Sequence, residues 1–257
     1  MKKVLNLAKL LIVVSIFTLG SVATFATMPT PSIDLDMVIH LDGSSSGGID
    51  NNGDPIQNTN SSTNKYTWVN LANPNMNATF TSNNNLTYGG WINNSFTFYN
   101  NIVLGGAFPA NNVHPATISN CINPQNFYIK FRARFSTMVP SGATIVRAYD
   151  SNKGIHISLL RTTYIDSYTR LIITIDNNSY NYALLEGNDS MVRDYVVSVT
   201  GTTLKVYAED LVDDIVTISQ PYSKNPNITE MTIGGFHSTI GIHDQLVLEE
   251  LIAYTKF

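Results

Sequence analysis

The residues able to do chemistry in this 257-residue chain are mostly oxygen-bearing and aromatic. Asp50, Asn52 and Asp54 put side-chain oxygens at alternate positions, the spacing a hard cation such as Ca2+ takes. The segment is not an EF-hand: Pro55 follows Asp54 where glycine belongs, and Ser61 stands where a bidentate Glu would close the loop. A plain polar turn is the other reading. A second set suits sugars, whose C–H faces stack on rings and whose hydroxyls bond to amides and carboxylates. Trp68, Trp91, Tyr164, Tyr168 and Tyr182 supply rings, Tyr180 lies beside them in sequence, and His156 and Arg161 are polar companions. Trp68 and Trp91 fall in strand-like settings, so core packing is the competing role for both.

Catalytic signatures are absent. There is no Gly-x-Ser-x-Gly elbow and no His-Glu-x-x-His zinc pair. His40, His114, His156, His237 and His243 are scattered. Asp34 and Asp36 share a face at the start of a strand, where acids are ordinarily solvated. Glu249 and Glu250, as strand neighbours, are expected on opposite faces. The run Glu209-Asp210 with Asp213-Asp214 suits a solvated loop.

Strands must position these groups. Asn126–Ser136 alternates strictly, with Ile129, Phe131, Ala133 and Phe135 on one face and Tyr128, Lys130, Arg132 and Arg134 on the other. Further strands are expected at 35–41, 144–149, 154–160, 171–175, 180–185, 195–200, 203–208, 230–234 and 246–254, all rich in Val, Ile, Thr and Tyr. Gly201-Thr202 and Asp176–Ser179 read as hairpin turns. Residues 210–216 could hold a helical turn and no more. Residues 43–64 are nearly without apolar side chains and read as a long surface loop. Closely spaced strands without helices imply an all-β, antiparallel sandwich or barrel.

The start of the chain is built for export. Lys2 and Lys3 precede an apolar run from Leu10 to Leu19, then Gly20 and small residues. Cleavage is expected after Ala26 or Ala23. Residues 1–26 are thus read as a signal peptide, 27–33 as a Pro-containing spacer, and 34–257 as one β-sandwich domain. The apolar run is short for a membrane span, so no stable insertion is expected after cleavage. Removing 26 residues leaves 231, and removing their three lysines moves the formal charge from −4 to −7. That balance argues against nucleic acid as a partner. Cys121, the sole cysteine, can form no internal disulfide.

Several segments together resemble the concanavalin A-like lectin/glucanase superfamily, and within it laminin-G-like (LamG) domains. Met37–Asp42 is similar to the family's opening strand, which ends in Asp. Trp68-Val69-Asn70-Leu71 looks like its Trp-x-(Asp/Asn)-Leu segment. Gly89–Ile92 with Phe96–Phe98 resembles the following strand pair, and Tyr195–Tyr207 a late hairpin. Thr232–Phe236 looks like an Ile-Gly strand, and Glu250–Tyr254 like the closing strand. The departure is Ala208-Glu209-Asp210, where the family usually has a short glycine turn. The resemblance implies a jelly-roll sandwich of two antiparallel sheets, and a calcium site near the binding loops in many members. Its glucan-cleaving members carry a Glu-x-Asp-x-x-Glu strand, which this chain lacks. A secreted, non-catalytic module for a glycan or cell-surface ligand is therefore expected. A structural or adhesive protein-binding protein is the alternative, and a glycan hydrolase with altered acids the remaining one.

Overall fold

The structure is a computed structural model. It describes residues 28–48, 50–54, 56–80, 90–100, 115–136, 141–150, 153–161, 169–183, 192–208, 214–217, 227–239 and 244–256. The signal peptide, Tyr164, Tyr168, His114 and His243 lie outside the described residues.

Period-two alternation becomes strand after strand. In chain order these are β1 (Asp36–Asp42), β2 (Thr67–Trp68), β3 (Ala78–Thr79), β4 (Gly90–Ile92), β5 (Ser95–Asn100), β6 (Ala116–Ser119), β7 (Asn126–Ser136), β8 (Ser141–Asp150) and β9 (Lys153–Arg161). They continue as β10 (Arg170–Ile175), β11 (Asn178–Ala183), β12 (Arg193–Thr200), β13 (Thr203–Ala208), β14 (Asp214–Thr217), β15 (Glu230–Ile233), β16 (Phe236–Thr239) and β17 (Asp244–Thr255). One sheet has the order β14-β13-β12-β7-β17-β5-β4, with β1 also on β17. The other runs β11-β10-β9-β8-β15-β6-β3-β2, with β16 also on β8. Every pairing among the described residues is antiparallel.

A single apolar cluster joins the sheets. Phe96, Phe98, Phe127, Ile129, Phe131 and Leu251 come from the eight-stranded sheet. Trp68, Ile145, Ile155, Ile157, Leu171, Ile173 and Ile233 come from the nine-stranded one. These faces interdigitate because each strand puts its odd or even positions inward. The β-sandwich expectation thus holds, and β7 and β13 occupy the residues expected of them.

Two local expectations need amending. Of residues 210–216, read as able to hold a helical turn, 210–213 lie outside the described residues, and 214–217 form strand β14 on β13. A strand edge offers unpaired amides and carbonyls, and satisfying them outweighs a weak local propensity. The 43–64 loop is not wholly a surface loop either. It opens with a 3-10 turn at Gly43–Ser45, and Ser45, Ser46 and Asn58 are buried. The Asn58 amide donates to the carbonyls of Thr67 (2.7 Å) and Asn64 (3.2 Å), so a polar side chain anchors the loop.

Candidate functional site

Strand register assembles a polar row on the outer face of the nine-stranded sheet. Thr67 faces Thr79, which faces Thr117, then Thr232, Arg147, His156, Thr174 and Ser179, one residue from each of eight strands. At about 4.8 Å per strand the row extends about 33 Å. It stays on one face because each member alternates with an inward apolar residue, as Thr117 does with Ala116 and Ile118, and His156 with Ile155 and Ile157. Neighbouring hydroxyls approach at 3.4 Å between Thr79 and Thr117 and at 2.9 Å between Thr174 and Ser179. Thr144, one row over, meets His156 Nε2 at 3.2 Å.

A groove of about 560 Å³ crosses this row along β15. Its floor includes Thr144, Thr232, Gly234 and Gly235; Arg147, Asp150 and Glu230 are its exposed charged groups. Tyr149 is the aromatic among the described lining residues, oriented by its hydroxyl, which donates to the Asp176 carbonyl at 2.9 Å. The far wall, 227–229, is held by Asn120, whose amide donates to the Ile228 carbonyl at 3.0 Å. The floor depends on two glycines in the left-handed region, Gly234 (φ 74°) and Gly235 (φ 91°). They let the chain leave β15 and rejoin the same neighbour as β16, with Gly234 N–H donating to Ile145 and Gly235 accepting from Thr144. A Cβ on Gly234 would lie 2.0 Å from the Phe98 ring.

The sequence-derived ligand residues divide. His156 belongs to the row, beside the groove. Arg161 ends β9 opposite Ser141, half-buried, and is not among the groove's lining residues. Trp68, Trp91 and Tyr182 are corrections: their exposures are 0%, 7% and 9%, and all three belong to the core cluster. Trp68 packs edge-on against Trp91 at 5.3 Å between centroids. Their indole N–H groups donate inward, to the carbonyls of Asp42 (3.2 Å) and Lys65 (2.9 Å). Rings so enclosed offer a sugar no open face. Arg147, Glu230 and the threonine row were missed, because only pairing across distant strands brings them together.

The residues proposed for calcium share one exposed turn. Asp50 Oδ1 accepts the backbone N–H groups of Asn52 (2.8 Å) and Asp54 (2.9 Å). These amides, that of Asp54 foremost, hold the Asp50 carboxyl below its ordinary value. The turn thereby closes on its own backbone. Among the described residues no three His, Cys, Asp or Glu gather as a metal site.

The eight-stranded sheet carries a charged outer face. Lys130 Nζ lies 3.2 Å from Glu250 and 3.9 Å from Asp194. Arg132 lies 2.9 Å from Glu249 and 3.8 Å from Asp194, and His40 Nε2 is 3.4 Å from Glu250. Both glutamates face outward, contrary to the alternation expected. A bulge between Leu248 and Glu250 inserts Glu249 and resets the register. His40, then Lys130, holds the Glu250 carboxyl below its ordinary value against the opposing effect of burial.

No family model matches the chain, and no curated protein matches it. The fold is similar to solved structures of botulinum neurotoxin binding domains. The serotype D binding domain superposes with a TM-score of 0.54 at 11% identity, over 86% of this chain and 48% of that one. A type C structure, described for cell entry dependent on two ganglioside molecules, gives 0.51 at 10%, over 86% and 48%. The serotype DC binding domain in complex with rat synaptotagmin II gives 0.50 at 10%, over 86% and 49%. At these identities the likeness concerns the arrangement of strands alone. The chain spans about half the length of those structures. Among the described residues no helix is long and apolar enough to cross a membrane.

Proposed function

We propose that this protein is a secreted, non-catalytic binding module, a concanavalin A-like, laminin-G-like sandwich that recognises a glycan on the outer face of its nine-stranded sheet. The row Thr67–Thr79–Thr117–Thr232–Arg147–His156–Thr174–Ser179 carries the reading. Hydroxyls both donate and accept, as a sugar's own hydroxyls do, so a hydroxyl row and a glycan satisfy each other without a charged partner. The groove is in the size range of ligand clefts. Lying beside Arg147 and Glu230, it also holds groups for charge-assisted bonds to a sugar.

Catalysis is not part of the reading. A glycosidase needs a carboxylic acid whose pKa is raised, so that it can give up its proton at the scissile bond. Glu250 is held in the opposite direction. Glu249, Glu250 and Asp194 each face a cation.

A glycan array probed with the mature chain tests the proposal, with calcium and with a chelator. Signal on a glycan class that Arg147→Ala or Thr232→Val abolishes supports it. Silence on all glycans in both conditions ends it. A calcium-dependent signal lost in Asp50→Asn would assign the 50–54 turn a metal after all. The second reading, a protein ligand at a cell surface, draws support from the neurotoxin domain bound to rat synaptotagmin II. Under it, the Arg147→Ala variant retains cell binding.

A further inference from the structure

The N-terminal segment, residues 28–35, lies as a strap on the outer face of the eight-stranded sheet. Met28 and Leu35 pack with Tyr254 on a small apolar cluster of Tyr128, Val196 and Tyr207, separate from the main core. Two polar contacts fasten it. The Tyr128 hydroxyl donates to the Pro29 carbonyl at 2.8 Å, and Asp34 pairs with Lys256 at 2.9 Å. Between the strap and β12–β13 a cleft of about 370 Å³ remains.

We propose that this cleft is a second ligand site, on the sheet opposite the row, for a small hydroxylated anion: a sugar bearing one carboxylate or phosphate. Its chemistry differs from that of the groove. Thr30 of the strap and Ser198, Thr200 and Thr203 of the sheet supply hydroxyls, that of Ser32 being bonded to the Asp34 carboxylate, and Lys205 supplies a positive charge. Among the described residues no acidic side chain lines it, whereas Asp150 and Glu230 line the groove. Of the described acids on this side, Asp34 is paired with Lys256 and Asp194 with Lys130 and Arg132. Among the described residues no carboxylate pairs with Lys205, so its charge can attract an anion, and the hydroxyls suit the rest of a sugar. An ammonium acts as a point charge and does not require the planar match that an arginine fork makes with a carboxylate, so carboxylate and phosphate are both admitted. Because the strap forms one wall, binding and strap docking are coupled.

The test uses the mature chain with glucuronate, N-acetylneuraminate and glucose 6-phosphate, and with glucose and methyl glucuronate ester as neutral controls, followed by calorimetry. At least one anion is expected to bind while the neutral compounds do not. Lys205→Gln should weaken that binding about tenfold or more, with unchanged melting. Leu35→Ala, which loosens the wall, should weaken it too. Arg147→Ala, on the other sheet, should leave it intact, so the two sites stand or fall separately. The proposal is overturned if no anion binds at millimolar concentration, if the neutral sugars bind equally, or if Lys205→Gln or Leu35→Ala binds as the wild type does.

Discussion

Glu249 and Glu250 are consecutive residues of one strand, yet both stand on the outer face of the eight-stranded sheet, 2.9 Å from Arg132 and 3.2 Å from Lys130 respectively. The bulge that places them there turns an ordinary alternating strand into one side of an ion-pair network with Lys130, Arg132 and Asp194, and His40 lies beside Glu250. The network gives this face a definite pH response.

Since the folded-state Glu250 carboxyl sits below its ordinary value of 4.5, its contribution to stability is full above that value. It is lost as pH falls through the lowered one. Glu250→Gln should therefore lower the melting temperature at neutral pH, by roughly 1–3 kcal/mol of stability. The gap to the wild type should narrow toward pH 3. Melting curves of both proteins from pH 3 to pH 8 check this; a constant gap would remove Glu250 from the network's energetics.

The groove floor should tolerate no side chain at Gly234. Alanine there combines a left-handed backbone with a Cβ placed inside the Phe98 ring. Gly234→Ala should lose roughly 2–5 kcal/mol in urea unfolding. A loss below about 0.5 kcal/mol would mean that the turn repacks freely.

Asn70 is wholly buried and ties three segments together. Its Oδ1 accepts the His40 N–H (2.9 Å), its amide donates to the Val38 carbonyl (2.9 Å), and its own N–H donates to Asn77 Oδ1 (2.9 Å). Asn70→Ala should strand the first two groups at roughly 1–3 kcal/mol each. Asn70→Asp keeps the acceptor and loses the donor, so it should fall between the two in chemical denaturation at neutral pH.

Trp68 should behave as core and not as a sugar platform. Trp68→Ala should cost about 3–5 kcal/mol, whereas Trp68→Phe should leave any glycan signal intact once the protein is folded. A Trp68→Phe variant that is stable but blind to glycans would return this ring to the binding site.

Thr117→Val and Thr232→Val keep shape and remove a hydroxyl from the row. Both should leave melting within about 0.5 kcal/mol of the wild type and weaken glycan binding. Unchanged affinity in the double variant would separate the row from recognition.

Local patterns made the strand content legible. Alternation along 126–136 gave β7 and the division of Phe131 from Lys130 and Arg132, because a side chain's face follows from sequence parity alone. Turn chemistry at Asp176 (φ 50°) and Gly201 (φ 57°) was readable for the same local reason. For Trp68 and Trp91 the sequence offered core packing beside a sugar role, and for Tyr182 the sugar role; it could not choose, since a ring's burial depends on what the other sheet brings to it.

By itself, then, the sequence determined an all-β sandwich with alternating faces, the expectation of an export leader, and the absence of familiar catalytic motifs. Only the tertiary structure decided which polar residues meet. Thr67 and Ser179 end one row though they are more than a hundred residues apart, because eight strands pair in a fixed register. A one-residue slip would send every member of that row inward, so burial of the opposite, apolar face holds the register in place. The same dependence on pairing placed the Glu249 bulge and the strap over Tyr128, which no window of neighbouring residues encodes.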